Sequence, residues 1–422
     1  MGVDFTGRVA VITGAGNGLG AAYAKKLAAL GAAVVVNDLG SRVDGTADGS
    51  NPAENVAADI RVAGGRAVAN NDSVATPDGG KAIIDTAVKE FGRLDIVIHN
   101  AGNRRNKPIE EITPEDLDSV LAVHLKGAMY VAQPAFGVMK EQGYGRLLFT
   151  GSSAGLFGNA GQLTYAAAKA GVLGLSHSLA IEGAAHGIKA NVLLPMAGTP
   201  RALSGMSAQA TAAIGGEQTS SNSDTDLVGS LVVYLVSEEC ALSHEIMASA
   251  GGRYYSAFIG TTEGWRRAGD AVPSPDDVAA HLDIIRSRDG YQVPSSLGDD
   301  VAASMGGGVA PQSTRTPVEA AAGYFKAVLS QDVDALHSLF TPDAVIDVPG
   351  SKVTGNDAIA DFYREVFAQS TPQPTPGPLL AQGNRVSVQI ALHRGGKDYR
   401  MADFFTVTPE GRISEMVAYQ AD

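Results

Sequence analysis

A glycine-rich loop near the amino terminus limits the folds that this chain can adopt. Residues 13–20 read TGAGNGLG and stand between an apolar strand candidate, Val9–Thr13, and a helix candidate, Gly18–Leu30. Gly14 permits the tight turn after the strand, and the later glycines let a ligand and the helix approach closely. Backbone N–H groups at such a helix start bind phosphate, so the loop predicts a dinucleotide site. We assign to this site the loop residues Gly14, Asn17, Gly18, Leu19 and Gly20.

Buried strands and amphipathic helices alternate through the first 200 residues. This alternation predicts an α/β fold of the Rossmann type, a doubly wound parallel sheet with helices on both faces. The strand candidates are Val9–Thr13, Ala33–Asp38, Ala67–Asn70, Leu94–Asn100, Arg146–Thr150 and Ala190–Pro195. The helix candidates are Gly18–Leu30, Asn51–Ala63, Thr76–Phe91, Pro114–Glu141 and Tyr165–Ala185.

A second domain is predicted after a linker. Residues 289–315 are rich in Gly, Pro, Ser and Thr, so we predict one domain over residues 1–288 and another over residues 316–422. The second domain is predicted to be α+β, because its helix candidates precede its strand candidates. They are helices Pro317–Ser330, Val333–Phe340 and Asn356–Ala368, and strands Arg385–Leu392, Tyr399–Val407 and Ile413–Tyr419. The small, polar residues 201–226 predict a lid or a disordered loop.

The overall composition argues against several classes of partner. The chain has 422 residues and a net charge of −13, which argues against nucleic acid. Its one cysteine, Cys240, cannot form an internal disulfide and fits a reducing cytoplasm. No apolar run reaches about 18 residues, so no membrane span is expected. The first residues lack a basic signal-peptide region and the last lack a peroxisomal address, so we predict a cytoplasmic protein.

Three polar residues stand at the spacing of an acid–base site: Ser152, Tyr165 and Lys169. The last two are four residues apart, so they share one helix face and the ammonium can lie under the phenol. A free tyrosine has a pKa of about 10, and a base near neutral pH needs that pKa lowered by roughly 3 units, or about 4 kcal/mol. The ammonium can supply this shift, while Ser152 holds a substrate oxygen. With the glycine loop, this predicts hydride transfer between a nicotinamide cofactor and an alcohol or ketone.

A carboxylate at the end of the second strand candidate bears on the choice of cofactor. Asp38 lies twenty residues beyond Gly18, where its side chain can hold the ribose hydroxyls and repel a 2′-phosphate. This position predicts NAD rather than NADP. Arg42 nearby could instead pair with a 2′-phosphate, which would favour NADP. The alternative role for Asp38 is to cap a helix or a turn.

Two further groups of residues follow strand candidates and are assigned to the cofactor. Asn100, Ala101 and Gly102 would pass beside the adenosine ribose, and Asp72 and Ser73 would face the adenine. The alternative for both groups is ordinary turn chemistry, in which the side chains bond only to nearby backbone.

Together these motifs resemble the signature set of the short-chain dehydrogenase/reductase family over roughly residues 1–270. The set comprises Thr13-Gly14-x3-Gly18-x-Gly20, Asn100-Ala101-Gly102, Ser152, Tyr165-x3-Lys169 and Pro195. Four segments further resemble the (3R)-hydroxyacyl-CoA dehydrogenase unit of peroxisomal multifunctional enzymes of type 2: 36–40 (VNDLG), 67–74 (AVANNDSV), 124–127 (HLKG) and 179–183 (LAIEG).

The resemblance implies a role for each of the three polar residues. Ser152 would anchor the substrate, Tyr165 would be the acid/base, and Lys169 would bind ribose and lower the pKa of the phenol. It also implies a homo-oligomer that associates through the helix candidates Pro114–Glu141 and Tyr165–Ala185.

His124 departs from the general family pattern, in which many members carry an asparagine that holds a water in a proton relay. It shares a helical stripe with Leu117, Val120 and Leu121, which is typical of a core histidine. The alternative is a residue that supports the relay, and we keep His124 among the candidate catalytic residues on that ground.

The last 107 residues resemble the ketosteroid isomerase-like cone fold. The residues that carry this resemblance are Ala322-Gly323-Tyr324, Asp332–Leu336, Asp343-Ala344, Pro349-Gly350, Phe362–Arg364 and Gly411–Ile413. The resemblance places Tyr324 and Asp403 on the oxyanion pair of that enzyme. The position of its base is Val348, and the nearby carboxylate, Asp347, is one residue earlier, which in a strand is the opposite face. We predict a pocket near Tyr324, Asp347 and Asp403 that serves binding or assembly, with isomerase activity as the alternative.

Three functions therefore remain open at this point. The first is an NAD-dependent dehydrogenase of (3R)-hydroxyacyl-CoA thioesters, and the second is a hydroxysteroid dehydrogenase. The third is a scaffold that binds dinucleotide without turnover, which the intact Ser152, Tyr165 and Lys169 set argues against. The predicted partner is thus a small-molecule substrate, acyl-CoA or steroid, and we assign no metal site.

Overall fold

The computed structural model describes residues 2–40, 44, 46, 50–196, 222–267, 272–288, 291–304, 316–394, 397–408 and 411–420. The chain divides into two compact units, Met1–Phe258 and Ile259–Asp422. Arg42 lies outside the described residues, as do residues 201–221 of the predicted lid and residues 305–315 of the predicted linker. The predicted domain limits at residues 288 and 316 stay a prediction.

The first unit is built on an eight-stranded sheet whose order is β3-β2-β1-β4-β5-β6-β7-β8. Its strands are β1 (Val9–Thr13), β2 (Ala33–Asn37), β3 (Arg66–Asn70), β4 (Ile96–His99), β5 (Gly145–Thr150), β6 (Ile188–Met196), β7 (Ile246–Ala250) and β8 (Arg253–Ala257). All neighbouring pairs are parallel except β7 and β8. The order reverses between β1 and β4, which opens a crevice at the carboxyl ends of the strands. The predicted Rossmann-type fold is confirmed, and the last two strands were not predicted.

Both faces of this sheet are buried. Along β1, Ala10 and Ile12 lie in one apolar cluster, whereas Val9 and Val11 lie in another. Alternate residues of a strand point to opposite faces, so each cluster is the core between the sheet and one layer of helices. These layers consist of α1 (Gly18–Ala29), α2 (Pro52–Val62), α3 (Pro77–Phe91), α4 (Pro114–Leu121), α5 (Gly127–Gln142), α6 (Ser153–Phe157), α7 (Leu163–Gly183) and α8 (Asn222–Leu235), with short 3₁₀ turns at Ile109–Glu111 and Ala184–His186.

One predicted helix, Pro114–Glu141, is interrupted. α4 and α5 are joined through a π-helical segment, Ala122–Lys126, whose wider turn inserts one residue into the helical repeat. Thr113 starts α4 with a capping box, in which its side chain and that of Asp116 each accept from the other's backbone N–H. The π-helical segment contains His124, a predicted site residue, so it sets the direction in which the His124 side chain points.

The second unit contains a seven-stranded sheet with the order β10-β9-β15-β14-β13-β11, and β12 also pairs with β13. The strands are β9 (Phe340–Val348), β10 (Ser351–Thr354), β11 (Gln373–Pro376), β12 (Leu380–Gln382), β13 (Arg385–Arg394), β14 (Lys397–Val407) and β15 (Ile413–Gln420). The helices are α9 (Pro275–Ala280), α10 (Leu282–Arg286), α11 (Leu297–Ser304), α12 (Pro317–Ser330), α13 (Val333–Leu339) and α14 (Asn356–Gln369). The predicted α+β organisation is confirmed; β10 to β12 were not predicted, and of β9 only the end, Asp347 and Val348, was treated as a strand. None of the helices within the described ranges is long and apolar enough to cross a membrane.

Candidate active site

The glycine loop is closed on one side and open on the other. Gly14 has a φ of +63°, and a Cβ there would lie 2.7 Å from the Cα of Ala101, the residue two beyond β4. A Cβ on Gly20 would lie 2.3 Å from the carbonyl oxygen of Gly14. Gly18 has a φ of +54°, and a Cβ on it would meet no heavy atom of the described residues within 4 Å. Among the described residues the N-terminus of α1 is therefore uncovered at Gly18, and the loop fits the pyrophosphate of a dinucleotide.

Side chains at the ends of β1 and β4 hold this loop in place. The Nδ2 of Asn100 donates to the carbonyl oxygens of Thr13 at 3.2 Å and Gly14 at 3.0 Å. The hydroxyl of Thr13 accepts from the backbone N–H groups of Asn100 and Ala101, each at 3.1 Å. The structure thus gives Asn100 a supporting contact with the loop, in addition to the ribose contact predicted for it. Asn17 precedes α1 without a side-chain capping bond, and Leu19 packs against the core.

Asp38 follows the carboxyl end of β2 and is half-buried. Its Oδ2 accepts from the N–H of Gly16 at 2.9 Å, and its Oδ1 accepts from the N–H of Gly40 at 2.9 Å. The turn-capping contact considered from the sequence is therefore present. Because an ionised carboxylate has about four acceptor sites, two such bonds leave room for ribose hydroxyls as well.

Asp72 and Ser73 follow β3 and take part in local turn contacts. Asp72 Oδ2 accepts from Asn70 Nδ2 at 2.7 Å, and the hydroxyl of Ser73 accepts from the N–H of Ala75 at 3.2 Å. Pro195 lies near the carboxyl end of β6 and pairs with Ser249 of β7. All of these residues are at the edge of the sheet where β1 and β2 also end, which is the edge predicted for the cofactor.

The three predicted catalytic residues meet at the carboxyl end of β5. Tyr165 and Lys169 lie one turn apart on α7, and Lys169 Nζ is 5.6 Å from the centroid of the Tyr165 ring. Lys169 is 2% exposed, and its ammonium donates to the carbonyl oxygen of Thr150, the last residue of β5. Ser152 caps α6 by accepting from the N–H of Ala154 at 3.2 Å, and its hydroxyl is near enough to the Tyr165 phenol to lower the pKa of that phenol. The structure therefore brings Ser152, Tyr165 and Lys169 together.

The charges around the phenol favour its ionised form. Burial by itself raises the pKa of Tyr165, but the positive charges of Lys169 and Arg104 and the nearby Ser152 hydroxyl outweigh it, so the pKa lies below the ordinary value of 10. Burial also lowers the pKa of Lys169, while the phenol opposes that shift. A tyrosine whose pKa is lowered in this way can serve as a general base or acid.

Arg104 is a site residue that the sequence analysis missed. Its guanidinium carbon lies over the Tyr165 ring, 5.0 Å from the centroid, and its positive charge lowers the pKa of the phenol. It is half-buried and lies two residues beyond Gly102, at the mouth of the crevice. The sequence feature that could have indicated it is the pair Arg104 and Arg105, which follows closely after Gly102, a residue already assigned to the cofactor.

His124 is buried beside the same tyrosine. Its ring meets that of Tyr165 edge to face, with centroids 5.2 Å apart at 87°. Its Nε2 lies 2.8 Å from the carbonyl oxygen of Asn103, while Nδ1 has no hydrogen-bond partner among the described residues. Burial, then the charge of Lys169, hold the pKa of His124 well below its usual value, so the imidazole is neutral. A Cβ on Gly102 would lie 2.4 Å from this ring, so a glycine is required there.

The second unit has a buried polar cluster of its own. The hydroxyls of Tyr324 and Tyr363 are 2.6 Å apart, and Asp403 lies close enough for its charge to act on both tyrosines. Asp403 is 4% exposed, and burial raises its pKa to about 7. Its Oδ1 has no hydrogen-bond partner within the described part of the chain. Two of the three residues predicted for this pocket, Tyr324 and Asp403, are thus brought together.

Asp347 does not join this cluster. It pairs across the sheet with Val417, and Val417 pairs with Phe404, an exposed residue on the face away from the core. Val348 packs against the apolar core instead. Asp347 forms an ion pair with Lys352, at 3.5 Å, with both side chains about half exposed or more. Val348, which the resemblance places at the position of a base, therefore faces the interior.

Comparisons with known proteins agree with this geometry. The model of the short chain dehydrogenase family matches residues 8–207, and that of the SnoaL-like domain matches residues 321–416. A short-chain type dehydrogenase/reductase of Mycobacterium tuberculosis is 43% identical over 286 residues, which are 68% of this chain and 96% of that protein. A crystal structure of a short chain dehydrogenase from Mycobacterium avium is 34% identical, with a TM-score of 0.58, over 68% of this chain and 98% of that one.

Two relatives carry more specific names. Mouse peroxisomal multifunctional enzyme type 2 is 48% identical over 195 residues, which are 46% of this chain and 26% of that enzyme. The hydroxyacyl-CoA dehydrogenase ChsB1 of Mycobacterium tuberculosis is 39% identical over 204 residues, 46% of this chain and 63% of that enzyme. The chain thus spans about a quarter of the multifunctional enzyme. The resemblances noted from the sequence are confirmed: the chain is an oxidoreductase of the short-chain dehydrogenase/reductase family that also carries a SnoaL-like, ketosteroid isomerase-like domain.

Proposed function

We propose that this enzyme interconverts (3R)-3-hydroxyacyl-CoA and 3-oxoacyl-CoA with NAD. The observation that carries the proposal is the joint position of Ser152, Tyr165 and Lys169 at the end of the crevice. Bound NAD⁺ supplies the hydride acceptor. Ser152 holds the reacting oxygen by a hydrogen bond, and the Tyr165 phenolate takes the hydroxyl proton as the alcohol becomes a ketone. Lys169 keeps the phenol acidic.

The choice of an acyl-CoA substrate is supported by the relatives and by the surface near the site. One relative is named a hydroxyacyl-CoA dehydrogenase. Apolar side chains are exposed just beyond the strands that carry the site: Phe157 at the end of α6, Leu163 at the start of α7 and Met196 at the end of β6. An exposed apolar surface of this kind suits an acyl chain.

The choice of NAD rests on Asp38. Its carboxylate lies where the adenosine ribose of a dinucleotide binds in this fold, and a 2′-phosphate there would be repelled. We also propose a cytoplasmic homo-oligomer, because the single cysteine suits a reducing compartment and the family commonly associates through its long helices.

A second candidate is a hydroxysteroid dehydrogenase, which the ketosteroid isomerase-like domain would suit. The specific observation in its favour is the buried Tyr324–Tyr363 pair beside Asp403. The valine at the position of the base argues against isomerisation in that domain, so we propose that it serves binding or assembly.

A substrate panel tests these proposals directly. Purified protein is assayed with NAD⁺ or NADP⁺ against (3R)- and (3S)-hydroxyacyl-CoA esters and against 3- and 17-hydroxysteroids, with Tyr165→Phe as the blank for each. We expect turnover of the (3R)-hydroxyacyl-CoA esters with NAD⁺. Turnover of hydroxysteroids alone would replace the first candidate by the second, and binding of NAD⁺ without any turnover would support a scaffold.

A further inference from the structure

Tyr165 is contacted by two cations that are placed very differently. Lys169 is 2% exposed and donates to the carbonyl oxygen of Thr150, so it is part of the packed interior. Arg104 is half-buried at the mouth of the crevice, with its guanidinium carbon over the Tyr165 ring, 5.0 Å from the ring centroid, and its charge lowers the pKa of the phenol. Lys169 already supplies the positive charge that the acid–base chemistry needs. The second cation therefore calls for a different explanation.

The geometry of a guanidinium suggests what Arg104 can bind. It has five N–H donors in a planar fork, so it can bind an acceptor oxygen of a substrate while it lies over the Tyr165 ring. A cation at this position is close to the point where the reacting oxygen of a substrate must lie, because that oxygen bonds to the Tyr165 hydroxyl. An acceptor for Arg104 should thus be a second oxygen close to the reacting one.

The substrate class proposed above has such an oxygen. In a 3-hydroxyacyl or 3-oxoacyl thioester, the thioester carbonyl is two carbons from the reacting carbon, and its oxygen can lie about 3 Å from the reacting oxygen, which is one hydrogen-bond length. A hydroxysteroid with an isolated hydroxyl has no oxygen at this distance.

We propose that Arg104 is a specificity-determining residue whose guanidinium binds the thioester carbonyl of a 3-hydroxyacyl or 3-oxoacyl substrate. This inference rests on the proposed function, and it adds the residue that distinguishes a 3-hydroxyacyl thioester from other secondary alcohols. Arg104 also acts on Tyr165, but that effect is the same for every substrate. The two effects can therefore be separated by comparing substrates that differ only in this carbonyl.

A matched pair of substrates isolates the contact. Acetoacetyl-CoA has the thioester carbonyl, and the thioether S-(3-oxobutyl)-CoA has a methylene in its place, with the same ketone and the same CoA arm. Reduction by NADH is measured for both, and the ratio of their kcat/KM values is compared between variants. Where turnover of the thioether is slow, its inhibition constant against acetoacetyl-CoA replaces kcat/KM in the ratio.

The variants are Arg104→Ala, Arg104→Lys and the matched control Arg105→Ala, which removes the same charge one residue further on. Losing a charge-assisted hydrogen bond should lower the preference for acetoacetyl-CoA about tenfold to a hundredfold in Arg104→Ala. Arg104→Lys keeps a positive donor and should retain part of the preference, and it serves as the test if the alanine variant does not fold. Arg105→Ala should keep the wild-type ratio.

The outcomes separate this inference from the function on which it rests. If Arg104→Ala lowers both rates equally and leaves the ratio unchanged, Arg104 acts only on Tyr165 and the assignment is overturned. If Arg105→Ala changes the ratio as much as Arg104→Ala, the change comes from the loss of positive charge in this region and not from a contact of Arg104. The assignment then also fails. If the wild-type enzyme reduces neither CoA compound but does act on steroids, the proposed function is the part that is wrong, and Arg104 has no carbonyl to bind.

Discussion

Each unit of this protein buries a tyrosine, and the two surroundings change the tyrosine pKa in opposite directions. Around Tyr165, two cations outweigh the effect of burial and lower the pKa. Around Tyr324, burial and the nearby Tyr363 and Asp403 all raise it. The comparison shows that burial alone makes a phenol a poorer base, and that neighbouring charges decide whether it can exchange a proton near neutral pH.

The largest expected effect comes from removing the two phenols in turn. Tyr165→Phe should lower kcat by about 10²- to 10⁴-fold while NAD still binds, because the hydroxyl moves the proton and the ring keeps its packing. Tyr324→Phe, the matched change in the other unit, should leave the dehydrogenase rate within about twofold of wild type. Steady-state kinetics and NAD titration measure both. A Tyr165→Phe enzyme with more than half of wild-type turnover would show that the phenol is not the base.

The next effect concerns stability and comes from Asp403. Because burial raises its pKa to about 7, the folded state holds a proton that the unfolded state, with a pKa of 3.8, has lost. The contribution of Asp403 to the stability of the second unit should therefore be fully present below about pH 4 and be lost as the pH rises to about 7, by at most about 4 kcal/mol. Asp403→Asn has no such proton and should flatten this part of the pH profile.

The strands that surround Asp403 offer the measurement for this prediction. Pulsed deuterium exchange of the backbone N–H groups of β13 and β14 in urea, read by mass spectrometry, follows the unfolding of the sheet that carries Asp403. Unfolding at several pH values between 4 and 7 compares wild type with Asp403→Asn. An equal slope against pH in the two proteins would mean that Asp403 is ionised in the folded state, as an exposed aspartate would be.

A smaller effect, on cofactor choice, comes from Asp38. Wild type should prefer NAD⁺ over NADP⁺ by at least about tenfold in kcat/KM, because the carboxylate repels a 2′-phosphate. Asp38→Asn keeps an acceptor oxygen toward the N–H of Gly16 or Gly40 but removes the charge, so the preference should fall toward unity. Comparable use of both cofactors by wild type would instead indicate that a cation such as Arg42 dominates.

The parts of this site that could be predicted from the sequence are those with local geometry. The loop at Gly14 and the pair Tyr165 and Lys169 depend on turns and on the helical repeat, which short stretches of sequence determine. Arg104 was missed because its contact with Tyr165 joins residues far apart in sequence, through the path of the chain after β4. The π-helical segment at Ala122–Lys126 was missed because its residues are ordinary for an α-helix.

The second unit shows a different reason for an incomplete prediction. Most of the strand Phe340–Val348 was not predicted, since it contains Pro342 and Asp343, residues that are uncommon in strands. The residues inside the cone were nevertheless indicated by the family resemblance. Asp347 and Val348 were expected to point to opposite faces of the sheet, because they are neighbours in a strand. The pairing of β9 with β15 decides which of the two faces the interior.

The smallest expected effect is that of Asp347→Asn. This variant tests whether Asp347 lies on the outer face of β9 and Val348 on the inner face. The ion pair with Lys352 is largely solvated, so its loss should cost less than about 1 kcal/mol of stability.

The full-length protein should also isomerise Δ5-3-ketosteroids only slightly, because Val348 faces the interior and cannot accept a proton. Absorbance of the conjugated enone reports this reaction, and Asp347→Asn should leave the low rate unchanged. Rapid isomerisation that disappears in Asp347→Asn would instead place a working base at residue 347, on the inner face of the strand, and would make the second unit an isomerase.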